Sequence, residues 1–231
     1  FGFSAIAVAG LSLIVSPAQV VPAIFALEIL ASLSQLRGIS RTVDRHWIGW
    51  LALGNLIFIP VGVALLAWLP EAPLRLLIGA LLMTAAILLR GGHQATLAHT
   101  RGVRLFAGAM SGFINGVAAI GGIALAVLLS TTRMPPATLR ATMIALLLFS
   151  DVVALASAAL MPDVAGGGGK LLGPDTWRWA LWLAPAMLAG IWFGQRSFAG
   201  VSPEQFRRQV LNLLIALAAV SVLRSLYGLL A

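Results

Sequence analysis

The 231-residue chain has no cysteine, and only 10% of its residues are charged. The first absence removes thiol nucleophiles, thiolate metal sites, disulfide scaffolds and redox switching, and says nothing about compartment. The second excludes a water-soluble globule, because a soluble domain carries about a quarter charged residues. Acids are scarcer than bases, 7 against 15, so the net charge is 15 − 7 = +8. The 24 glycines follow no triplet period, which excludes collagen. What is present is apolar: 60% hydrophobic residues and a mean hydropathy of +1.00. That composition belongs to a polytopic membrane protein, with the lipid bilayer as its main surroundings. Arg37, Arg41, Arg45, Arg90, Arg101 and Arg104 sit at the ends of apolar runs, where loops meet anionic lipid. No soluble surface is left to bind nucleic acid.

A spanning helix needs about 20 mostly apolar residues. Charge-poor stretches between loop signals predict eight spans: 1–16, 20–36 with Glu28 inside, 47–69, 74–89, 105–130, 137–161 with Asp151 inside, 177–199 and 206–228. Each must be helical, because loops and open sheet edges cannot satisfy their backbone in hydrocarbon. Trp47 and Trp50 open the third span, and Trp177, Trp179 and Trp182 open the seventh, as an interfacial belt would. Strict alternation puts nine Lys and Arg on one side and six on the other, which favours cytoplasmic ends.

The halves resemble each other. Pro17-Ala18 aligns with Pro136-Ala137, Gly2 with Gly121, and Ala31-Ser32 with Ser150-Asp151. A slightly larger offset pairs Trp47 with Trp179, Trp50 with Trp182 and Arg75 with Arg207. The expected fold is all-α: a polytopic helix bundle of two similar four-span repeats, each with a Gly-broken helix. The first repeat covers 1–92, a basic linker 93–104, and the second repeat 105–231. Four spans per repeat would relate the halves by an axis along the membrane normal. If the first and fifth spans turn back at their glycines, the halves are inverted and the sidedness fails. The alignment also implies about 15–20 residues before Phe1.

Gly108, Gly112 and Gly116 lie four apart on one helix face, the pattern of close helix packing. Ser111 and Asn115 lie beside that face. Gly121-Gly122 can unwind the helix at bilayer depth. A half-helix N-terminus there offers backbone N–H groups and partial positive charge to an anion. Gly2-Phe3-Ser4 is a degenerate copy of this stretch. Glu28 and Asp151 are the acids inside spans, and an intramembrane carboxylate is functional or paired. Glu28, Ser32 and Gln35 share one helix face. Arg140 and Asp151, eleven residues apart, share another, about 16 Å apart. Two readings stand: acids that carry a coupling proton or gate a cavity with Ser150 and Asn115, or acids held in structural hydrogen bonds. Gly166 to Lys170 resembles a phosphate loop, but Leu171 follows where Ser or Thr is needed. His46, His93 and His99 are expected in loops, so Ser111 has no imidazole base and an enzyme is not expected.

These residues resemble the TauE/SafE family of anion permeases over nearly the whole chain. The likeness rests on Ser111-Gly112-Phe113-Ile114-Asn115-Gly116 through Gly121-Gly122, and on Pro135-Pro136 followed by Arg140-Ala141-Thr142 and Ser150-Asp151. Leu27 to Ser32 resembles one branch of the family. The first-half glycine motif is reduced to Phe1-Gly2-Phe3-Ser4. The resemblance implies a secondary transporter in the cell membrane for a small sulfur-containing anion such as sulfite, thiosulfate or an organosulfonate, without ATP. No cofactor and no metal are expected, and a homodimer stays open. On this reading Ser4, Ser111, Asn115, Gly121, Gly122, Arg140 and Ser150 meet the anion. Glu28 and Asp151 serve proton coupling or gating. An uncoupled anion channel is the alternative.

Overall fold

The computed structural model describes residues 2–35, 45–90, 100–130, 135–161 and 170–197, together with 212, 215–217, 219 and 220. All regular structure among them is helical. Proline and glycine set the boundaries. After α1 (Gly2–Leu11), a turn leads to α2 (Pro17–Gln35), which opens on a proline whose missing N–H costs nothing at a helix start. α3 (Arg45–Trp68) stops before Pro70, and α4 (Glu71–Arg90) begins with a Glu71–Arg75 ion pair of 2.6 Å one turn apart. Thr100 caps α5 (Arg101–Ala118) by accepting the Val103 N–H at 3.3 Å. α6 (Gly121–Ser130), α7 (Pro136–Leu160) and α8 (Pro174–Ser197) follow. The glycine-rich segment 162–169, His93, His99 and nearly all of the expected eighth span lie outside the described residues. His46 falls in the first turn of α3, not in a loop.

Four described helices are long and apolar enough to cross a membrane: Pro17–Gln35, Ile48–Trp68, Glu71–Leu88 and Ala137–Leu160. The expected fifth span, 105–130, is not one crossing. The helix ends at Ala118, Ala119 takes the left-handed conformation at φ 54°, and α6 starts at Gly121. The Ser111 hydroxyl then donates to the Gly121 carbonyl at 3.1 Å. In a straight helix those residues would stand about 15 Å apart. The chain has therefore doubled back, and α6 retraces α5. Leu125 and Leu129 of α6 accordingly share an apolar cluster with Leu51, Met143 and Leu146, against which Val103 and Ala107 from the start of α5 also pack.

This reversal sets the direction of every element. At one end of the bundle Gln35, closing α2, meets Arg140 near the start of α7 at 3.4 Å, and Arg101 lies 5.8 Å from the Trp50 ring. At the opposite end Arg75 reaches the Val15 carbonyl in the α1–α2 turn at 3.5 Å. α2 and α4 run toward the Arg140 end, and α3, α5 and α7 run away from it. α6 returns toward it. α1, α2 and α3 thus run opposite to α6, α7 and α8. The expected axis along the membrane normal and the alternating sidedness are both overturned, for the reason that the reversal at Ala119–Ile120 removes one crossing.

The most extensive packing, α3 against α5, joins the two expected repeats, and α5 begins inside the expected 93–104 linker. Its seam consists of Gly54 and Gly62 from α3 with Gly108, Gly112 and Gly116 from α5. A Cβ on Gly112 would stand 2.7 Å from the Asn55 Cα, so backbone meets backbone there.

Candidate functional site: a cavity ending on buried acids

The i, i+4, i+7 spacing on α2 brings Glu28, Ser32 and Gln35 to one side of a cavity of about 360 Å³. Arg140, Ile144 and Leu147 line it from α7, Phe3 from α1, and Met187 and Ile191 from α8. Its walls are mostly apolar and its polar groups are ordered by depth. At the mouth the exposed Arg140 guanidinium donates to the Gln35 side-chain oxygen. Ser32 lies one turn deeper. Glu28 closes the inner end at 8% exposure, and its carboxylate accepts the Ser4 hydroxyl. One turn beyond Leu147 on α7 stands Asp151, fully buried and near enough to Glu28 for the two charges to interact. Each acid keeps one oxygen, Glu28 Oε2 and Asp151 Oδ2, with no hydrogen-bond partner among the described residues.

Behind Asp151 lies the tip of the α5–α6 hairpin. Asn115 Nδ2 donates to Asp151 Oδ1 at 3.0 Å, while Asn115 Oδ1 accepts the Gly121 N–H at 3.1 Å. The Asn115 carbonyl also takes the Ala119 N–H at 2.7 Å. One side chain therefore holds the acid and fastens the reversal. A second pair is adjacent in sequence. The single Ser150 hydroxyl proton is shared between the Leu146 carbonyl at 2.8 Å and Asn55 Oδ1 at 3.2 Å, and Asn55 Nδ2 donates to the Leu51 carbonyl at 3.0 Å.

Of the residues expected at the site, Arg140 and Glu28 face the cavity, and Ser4 reaches it through Glu28. Ser111, Asn115, Gly121 and Ser150 belong to the buried network outside the cavity lining, and Gly122 is buried. The expectation that the helix break itself lines this cavity is not met. The N–H freed at Gly121 is taken by Asn115, and Ala118, Ala119 and Ile120 pack into the apolar core. Gln35 stands at the mouth on the Glu28 face, a position the sequence expectation does not give to the anion. Asn55 was missed; a lone amide in an otherwise apolar span was the available signal.

Membrane-crossing helices, a hairpin folded back inside the bundle, and an internal cavity running from an arginine to a buried acid define a multi-pass membrane protein with polar groups in its interior. The family model for the sulfite exporter TauE/SafE matches residues 1–221, and the chain belongs to this family of membrane transporters. No curated protein and no solved structure matches it.

Proposed function

We propose that this chain is a cell-membrane permease for a small sulfur-containing anion such as sulfite, thiosulfate or an organosulfonate, and that a proton moves with the anion. The observation that carries the reading is the order of groups along the cavity: a cation and an amide at the mouth, a hydroxyl inside, and the Glu28 carboxyl at the closed end, with Asp151 buried behind it. Arg140 attracts the anion, and Ser32 and Gln35 offer it hydrogen bonds. Asn115, Ser111 and Gly121 hold Asp151 and the hairpin tip in place.

The acids make the cavity selective for a protonated state. An anion beside Ser32 stands one helical turn, about 6 Å, from the level of Glu28. A charged carboxylate at that distance opposes it by about 3 kcal/mol at an effective dielectric of 20. Protonation of Glu28 removes this repulsion, which corresponds to about a hundredfold in anion affinity. Asp151, deeper and bound to Asn115, receives or returns the proton as the cavity fills and empties.

The test is transport into proteoliposomes under an imposed pH gradient, with sulfite, thiosulfate, sulfate and short sulfonates as substrates. Substrate-dependent proton movement is expected, lost in Asp151→Asn. Anion flux without proton movement would make the protein a channel. No flux of any of these anions would overturn the substrate class.

A further inference from the structure

We infer that the end of the bundle carrying Arg140 is the cytoplasmic end, so that the cavity is a vestibule entered from the cytoplasm and closed toward the other side. The inference concerns the face from which the cavity is reached and holds whichever small molecule occupies it. It starts from the reversal in α5–α6. With that hairpin entering and leaving by the same end, Arg45, Arg90, Arg101, Arg104, Arg140 and Arg196 all belong to helix ends on the Arg140 side. The opposite end has Arg75, Lys170 and Arg178. Among the described residues the balance is therefore six against three.

Pairing sharpens the asymmetry. At the poorer end Arg75 is tied to Glu71, and Arg178 to Asp175 at 3.0 Å, which leaves Lys170 as the cation without an acidic partner in the described structure. At the richer end Arg101 lies against Trp50, and Arg140 rests on a neutral amide. The face with the excess of Lys and Arg is the cytoplasmic face of a membrane protein, whereas aromatic rings mark both faces, here Trp50 at one end and Trp177 at the other.

The closure follows from packing. Beyond Glu28, toward the Arg75 end, the α1–α2 hairpin and the α5–α6 tip supply Val8, Val21, Ile24, Phe25 and Ile120, each at most 1% exposed. These apolar side chains stand between Glu28 and the Arg75 end, so the path from the Arg140 end stops at Glu28.

The absence of native cysteine allows a direct test. Gly102→Cys introduces a thiol at the Arg140 end, where no heavy atom lies within 4 Å of the new Cβ. Lys170→Cys places one at the exposed opposite end, and Ser32→Cys places one inside the cavity. Each variant is treated with a membrane-impermeant maleimide in intact cells and in inside-out vesicles, and labelling after denaturation confirms that it has inserted. Gly102→Cys and Ser32→Cys should be labelled in the vesicles and lose that labelling in intact cells, and Lys170→Cys should show the reverse. Labelling of Gly102→Cys in intact cells, alone or equally with vesicles, would overturn the orientation. Labelling of Ser32→Cys only from the Lys170 side would overturn the vestibule. None of these outcomes depends on anion flux, so failure of the transport reading would be seen separately.

Discussion

Replacing Gly112 by alanine adds one methyl group at the place where α3 and α5 touch through their backbones. The new Cβ would stand 2.7 Å from the Asn55 Cα, 3.0 Å from its carbonyl oxygen and 3.1 Å from its Oδ1. Carbon atoms in favourable contact sit about 3.5–4.0 Å apart, so the two helices must separate by about 1 Å at this level. The two nearest neighbours are backbone atoms, and the third, the end of the Asn55 side chain, is held by Leu51 and Ser150, so local rotation absorbs little of the change. Overpacking of this kind costs about 1–3 kcal/mol. For a chain of this length that is a fall of roughly 2–12 °C in midpoint, at about 2–4 °C per kcal/mol. Gly102→Ala is the matched control: it lies in α5, nothing approaches its added Cβ within 4 Å, and alanine improves helix propensity by about 1 kcal/mol. Thermal unfolding in detergent, followed by tryptophan fluorescence, should separate the two in sign. Equal midpoints would refute the claim that this seam is backbone-on-backbone.

Asn115→Ala removes the partner of two buried groups, the Asp151 carboxylate and the Gly121 N–H, and should cost about 2–6 kcal/mol in the same melting assay. Asp151→Asn keeps the shape and should bind anion nearly as the parent does, while transport in proteoliposomes stops responding to a pH gradient; an unchanged response would leave Asp151 a structural role only. Arg140→Gln should weaken anion binding roughly tenfold to a hundredfold, read by calorimetry, since a hydrogen bond to a charged group contributes about 1.5–3 kcal/mol. Glu28→Gln should tighten anion binding at alkaline pH and flatten its dependence on pH, and an unaltered pH profile of binding would separate Glu28 from the anion.

Much of the local architecture was legible because its signals are local. Helix boundaries fall beside Pro17, Pro70 and Pro136, where the missing N–H costs least, although Pro22, Pro60 and Pro185 lie inside helices. The interruption at Gly121 and the small-residue face of Gly108, Gly112 and Gly116 follow from side-chain size alone, and the packing of that face against α3 bears this out. The acids stood out because carboxylates are costly in lipid. What could not be read was direction. Residues 105–130 are apolar whether the chain continues through the bilayer or doubles back, so hydropathy counts one crossing in either case. Asn115 carried the missing information, since its side chain reaches Gly121 only if the chain reverses. The place of the cavity was likewise hidden, because α1, α2, α7 and α8 come together only through contacts distant in sequence.

The doubling back of α5–α6 has a consequence for parity. A hairpin that enters and leaves by one face contributes no crossing, so between the start of α1 and the start of α6 the chain crosses an odd number of times, through α2, α3 and α4. An odd count turns the following elements upside down. The proline-led helix α2 therefore descends from one face of the membrane and the proline-led helix α7 from the other, and Glu28 and Asp151 come near each other from opposite directions. Had α6 simply continued α5, both helices would point the same way and one surface of the membrane would be treated differently from the other by construction. As built, a short helix precedes a long one on each side, α1 before α2 and α6 before α7, and the two pairs run in opposite senses.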